Sequence, residues 1–201
     1  MKTKTTGTVR KMTQIAILAA LVIVLQFISY SVKIGIFTLS LALIPIAVGA
    51  ILFGPAAGAG LGATFGAVTL IGCISGIDAG GAILWGANPI LTAVLCLVKG
   101  AAAGLCAALI AKALSRHSFV ASMCAAITVP IVNTGLFCLA MACLYHDILV
   151  EWSGGANLLY YVIFSLIGGN FLFEFLTSLV LSPAVARIIR AVSGSRSNDY
   201  T

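Results

Sequence analysis

Six membrane-spanning helices in one all-α integral membrane domain, with both termini cytoplasmic, is the architecture this sequence predicts. Three observations lead to it. Of 201 residues, 61% are hydrophobic and only 8% charged, against about a quarter charged in an ordinary soluble domain. The mean hydropathy is +1.17, which leaves little chain for a separate soluble unit. The few basic residues stand between apolar runs, at intervals that fall on one side of a six-helix path. The formal net charge of +6 is split among those clusters and forms no continuous basic patch, so the expected surroundings are membrane lipid and not nucleic acid.

A helix needs about 20 apolar residues to cross the hydrocarbon. Residues 12–30 form the first span, after a basic cytoplasmic tail over 1–11. A shorter second span covers 39–53, and Gly54-Pro55 turns it tightly into a third over 56–74. The fourth span, 87–114, is long; the fifth covers 119–145. The sixth, 158–189, completes a bundle over 12–189, and a polar cytoplasmic tail follows over 190–201. Lys2, Lys4, Arg10 and Lys11 precede the first span, Lys112 and Arg116 separate the fourth from the fifth, and Arg187, Arg190 and Arg196 follow the sixth. The opposite loops carry Lys33 against Asp78, Asp147 and Glu151. Cytoplasmic loops carry the excess of Lys and Arg, so alternating crossings put all three basic clusters inside. Cleaving the first helix as a signal peptide would break that agreement.

The six cysteines (Cys73, Cys96, Cys106, Cys124, Cys138, Cys143) lie mostly in apolar runs without C-x-x-C spacing and read as small core fillers. His117 and His146 are isolated, so neither a metal site nor a cofactor is expected. The stretch "GPAAGAGLGATFG" places Gly54, Gly58, Gly62 and Gly66 four apart. Such a ridge lets helix backbones approach closely in lipid, here for internal packing. Ala16 and Ala20, in "TQIAILAALVIVLQ", repeat the spacing and serve either internal packing or an external partner.

Charges at mid-bilayer cost roughly 2.5–3.5 kcal/mol on insertion scales and usually face an interior or a cavity. Lys99, at the centre of "LTAVLCLVKGAAAGLCAALIA", is 13 residues from Lys112, and Glu174 is 13 from Arg187. At 1.5 Å per residue both stand about 20 Å from the basic end. Asn133 is 17 residues from Arg116 and Asn170 is 17 from Arg187, about one turn further out. Asn88, Thr92 and Lys99 share one face of the fourth helix, as Asn170 and Glu174 do on the sixth. Trp85, Trp152, Tyr160 and Tyr161 lie at the outer ends, as interface anchors or as the lid of a pocket. Two arrangements account for these stripes. One is a structural Lys99–Glu174 ion pair with asparagines bridging helices. The other is a cavity, open to the outside, for a small polar or anionic molecule. They can coexist, with Glu174 orienting Lys99 while a ligand carboxylate takes its remaining donors.

Several stretches, read in order, resemble the substrate-binding S components of energy-coupling factor (ECF) vitamin transporters over nearly the whole chain. "MTQIAILAALVIVLQ" resembles their first helix, whose Ala-xxx-Ala pair, here Ala16 and Ala20, faces the coupling helices of the transmembrane T component. "LIPIAVGAILFGPAAGAGLGATFG" resembles the second-to-third helix hairpin. "PIVNTGLFCLAMACLY" resembles the Asn-Thr stretch of the fifth helix, here Asn133 and Thr134. "NFLFEFLTSLVLSPAV" resembles the sixth, with Asn170, Glu174 and Pro183. Two positions depart from the family. Ala56 stands where many members have a basic residue after Gly-Pro. Lys99 lies near where pantothenate-type members often have an arginine; lysine keeps the charge but loses the bidentate fork for a carboxylate.

The resemblance implies a high-affinity binding subunit and not an enzyme, with pantothenate the leading substrate. Lys99 would meet an anionic group, and Asn88, Asn133 and Asn170 would hydrogen-bond the neutral part. Thr92, Glu174 and Trp85 complete the implied substrate site. The chain has no Walker sequence G-x-x-x-x-G-K-[ST]. Energy would therefore come from an ECF module, a T component with two ATP-binding cassette ATPases, in a bacterial cell membrane. The S component would topple to release substrate inwards, with Ala16 and Ala20 letting the helix slide on its partner. Two other classes compete. A small proton-coupled secondary transporter would use Glu174, but inverted repeats and interrupted helices are not evident between 1–100 and 101–201. An intramembrane protease would use Ser75 of "GCISGID" with His146 as base, but the stretch lacks G-x-S-x-G spacing.

Overall fold

The computed structural model describes residues 2–31, 33–34, 37–38, 40–115, 118–155, 157–162, 172, 174–178 and 180. The first helix, α1, runs without a break from Lys2 to Ser29, so the basic segment expected as a tail over 1–11 is wound into the same helix. A small antiparallel ladder follows, β1 (Lys33–Ile34) against β2 (Phe37–Thr38), with Lys33 opposite Thr38. Among the described residues the other regular elements are helical. The next helix, α2 (Leu43–Phe53), has 11 residues and so spans only about 16 Å. It stops at Gly54, whose φ is +86°, a conformation glycine adopts without the Cβ clash. Pro55 then opens α3 (Pro55–Ser75), where its missing N–H is no loss. Gly54 thus belongs to the turn and not to the glycine ridge.

The expected fourth span, 87–114, is one helix that opens two residues later than expected, at the Asn88-Pro89 step. Before it lies α4 (Ala79–Ala87), capped by Asp78; after it comes α5 (Pro89–Ala113). The chain continues through α6 (Ser118–Cys143), α7 (His146–Ser153) and α8 (Leu158–Tyr161). Among the described residues, four helical segments are long and apolar enough to cross a membrane: Thr8–Ser29, Pro55–Ser75, Pro89–Ala113 and Phe119–Cys143. Leu43–Phe53 is a shorter apolar helix. Most of the sixth span expected over 158–189 lies outside the described residues, of which 174–178 are helical.

Lipid offers no hydrophobic force between helices, so close van der Waals approach must hold them together. The seam between α3 and α5 achieves this by omitting side chains. A Cβ added at Gly58, Gly62 or Gly66 would collide with the carbonyl of Gly104, Gly100 or Cys96 respectively. In return, one at Gly100 or Gly104 would strike the carbonyl of Gly62 or Gly58. The predicted ridge of Gly58, Gly62 and Gly66 is therefore an internal seam. Around it the core is small-residue too, with Ala47 and Ala50 of α2, Ala103 and Ala107 of α5 and Ala125 of α6 beside Val22, Ile46, Leu61 and Phe65. By contrast α1 buries only 17% of its apolar window, against 50% for α3. Ala16 and Ala20 both lie on its exposed side.

Candidate functional site

A cavity of about 60 Å³ lies among α1, α3, α4, α5 and α6, with Ser40 and Glu174 in its wall. At roughly 10–15 Å³ per water it has room for only a few. Four of the residues expected at the site line it: Thr92 and Lys99 from α5, Asn133 from α6, and Glu174. Asn170 lies outside the described residues. Trp85 is half-buried on α4, and neither it nor Asn88 is part of the cavity wall.

Asn88 stands apart because the local chain uses it differently. Its side chain accepts from the Leu91 N–H at 3.1 Å, the usual work of an N-cap. Its carbonyl accepts from Thr92 Oγ1 at 2.9 Å and from the Tyr145 hydroxyl at 3.4 Å. Thr92 Oγ1 and Tyr145 Oη are themselves 2.7 Å apart. The N-terminal end of α5 is thereby pinned to Tyr145, the residue that opens α7. Beside it, Trp152 and Tyr161 pack on a cluster of Met141, Tyr145 and Leu149, whereas Tyr160 is exposed.

Lys99 and Glu174 share the cavity, but among the described residues no ion pair joins them. Lys99 is half-buried, and its Nζ lies 5.1 Å from the centroid of the Phe137 ring, within reach of a cation–π attraction. Glu174 is 3% exposed. Its Oε1 accepts from the Ser40 N–H at 3.2 Å and its Oε2 from Thr134 Oγ1 at 3.4 Å. The carboxylate ties the helical residues 174–178 to the segment before α2 and to α6. The cation of Lys99 is left facing a ring.

Asn133 sits almost one turn after Pro130, which lies inside α6 and removes one rung of the backbone ladder. Its Oδ1 is buried with no hydrogen-bond partner. A second such atom is Gln26 Oε1. Gln26 is 1% exposed on α1 and lines the same cavity. The sequence reading followed charges and asparagines and passed over it, although a glutamine closing "LVIVLQ" is itself a signal, being a costly amide in an apolar run. Cys73 and Cys96 also line the cavity, both buried, with sulfurs 4.0 Å apart. The remaining cysteines are less enclosed than core fillers should be, and Cys143 is exposed. Ser75, at the end of α3, donates to the Gly72 carbonyl at 3.3 Å. Among the described residues no three His, Cys, Asp or Glu side chains converge as a metal site would need.

The arrangement offers one cation, two bare amide acceptors and two carboxylates, Glu174 and Asp78, each already accepting from a backbone N–H donor. That is the chemistry of recognition. Compared with known families, the chain matches the family model of the substrate-specific component of ECF transporters over residues 10–186. No curated protein matches it.

Proposed function

Since the chain belongs to the family of ECF transporter substrate-specific components, a family of transport subunits and not of enzymes, we propose that its cavity binds a small polar carboxylate, with pantothenate the first candidate. One observation carries the reading. Lys99, Asn133, Thr134 and Glu174 meet around one cavity within an otherwise apolar bundle, where polar groups are expensive unless they have a use.

In this reading Lys99 meets the substrate carboxylate and Asn133 the neutral part, while Glu174 holds the wall together. Thr92 fixes the outer end of α5, and Trp85, Asn88 and Asn170 shape the approach from outside. The empty cavity, at about 60 Å³, is too small for a vitamin, so a wall moves outward when substrate enters. The termini are cytoplasmic, in a bacterial cell membrane, and the mouth faces outside. An ECF module of one T component and two ATPases supplies the energy. Ala16 and Ala20 are the surface on which α1 slides against the T component as the subunit topples.

Calorimetry on the purified, detergent-solubilised protein, across a panel of vitamins led by pantothenate, tests this. The expected result is one tight ligand, lost in Lys99→Ala and weakened less in Lys99→Arg, which keeps the charge. Binding that survives Lys99→Ala removes the lysine from the site. A panel without any ligand overturns the substrate assignment.

A further inference from the structure

Tyr30 decides which way the Gln26 amide points. Its hydroxyl donates its single proton to the Val68 carbonyl at 3.0 Å. The Gln26 side chain interacts with the same hydroxyl, which with its proton spent can only accept from it. Gln26 can therefore meet the phenol only through its N–H, which turns Oε1 away from Tyr30. The ring has little freedom to relieve this, because it is wedged against Gly72, where even a Cβ would strike the phenol. Oε1 is thus fixed as the free end of the amide, buried and unpartnered. Asn133 Oδ1, on α6, is the second bare acceptor in the same wall. Neither oxygen has a hydrogen-bond partner within the protein, and buried polar groups in that condition are few and need a reason.

We infer that Gln26 and Asn133 are paired acceptors that read two hydrogen-bond donors on the substrate. With Lys99 beside them, they select a carboxylate that also carries two separate donor groups (hydroxyl, amide or ureido N–H) and discriminate against a plain alkyl carboxylate. This rests on the cavity being the substrate site. It makes α1, which contributes Gln26 alone to the described wall, a specificity-determining helix. A site built to hydrogen-bond a substrate rejects the analogue that lacks the group, because its own buried atom is then left unpaired.

Gln26→Met keeps the length of the side chain and removes the acceptor. In the full chain in detergent, its pantothenate affinity falls about tenfold or more, while the thermal unfolding midpoint of the empty protein stays level or rises. A merely structural glutamine would lower that midpoint. The second arm compares pantothenate with its two deoxy analogues, each missing one hydroxyl. In the wild type, the analogue lacking the donor that meets Gln26 binds more weakly than pantothenate; in Gln26→Met the two bind alike. Tyr30→Phe frees the amide to turn and weakens pantothenate even though Gln26 remains. A lowered midpoint in Gln26→Met, or the same loss for every analogue in both proteins, overturns the inference. If no molecule of the panel binds the wild type, the cavity reading fails separately. The midpoint then still decides whether Gln26 Oε1 is a bare acceptor, and a fall denies it.

Discussion

Glu174 shows what a single charge can do at this depth. Its two oxygens take the Ser40 N–H and the Thr134 hydroxyl, so removing the side chain strands two donors. Each stranded donor costs about 1–3 kcal/mol when buried. Glu174→Ala should therefore lower the thermal unfolding midpoint of the empty protein well below that of Glu174→Gln, which keeps an oxygen for Ser40. Equal falls would assign the effect to the charge instead of the hydrogen bonds. Glu174, Lys99 and Asn133 were legible in the sequence because a polar group in a hydrophobic run is conspicuous. Their partners were not. Ser40 contributes a backbone N–H, which every residue but proline carries, and it lies 134 positions from Glu174. Gln26 escaped because its helix had been read for its alanines, and only the Tyr30–Val68 geometry gives its amide a direction.

At the scale of the element, the seam of α3 on α5 allows a paired comparison within one helix. Gly62 and Gly60 lie two residues apart, yet a Cβ at Gly62 meets the Gly100 backbone and one at Gly60 meets nothing within 4 Å. Gly62→Ala should destabilise by about 1–3 kcal/mol or more, since backbone cannot step aside as a side chain can. Gly60→Ala should be neutral or stabilise by up to about 1 kcal/mol, from helix propensity. Chemical or thermal denaturation of the two variants checks both signs at once. The four-residue period made this seam readable, because the face of a helix is a local property. The break at Asn88 was harder. Asn-Pro is a start signal, but it lies inside an apolar stretch long enough to pass as one helix, and the expected boundary fell two residues early. The ladder of β1 and β2, with two residues on each side, is too short to leave any period at all.

For the whole molecule, charge placement and hydropathy were enough to mark a multi-pass helical protein, since the bilayer fixes the length and polarity of every crossing. How the crossings surround a cavity depends on contacts between helices distant in sequence, which no local pattern encodes. The exposed face of α1 extends the proposed assembly to a test on intact complexes. Replacing Ala16 and Ala20 by tryptophan should leave calorimetric ligand binding within about twofold, because neither touches the cavity, and should sharply reduce co-purification with a co-expressed ECF module. Undiminished co-purification would move the docking surface elsewhere. The same helix turns Gln26 towards the cavity and Val24 and Phe27 towards the bilayer. In the proposed reading, ligand and membrane neighbour are thus separated by the thickness of one helix, about 10–12 Å with its side chains. News of an occupied pocket has no domain to cross before it reaches the outer surface. It has only to tilt a rod that is already touching both.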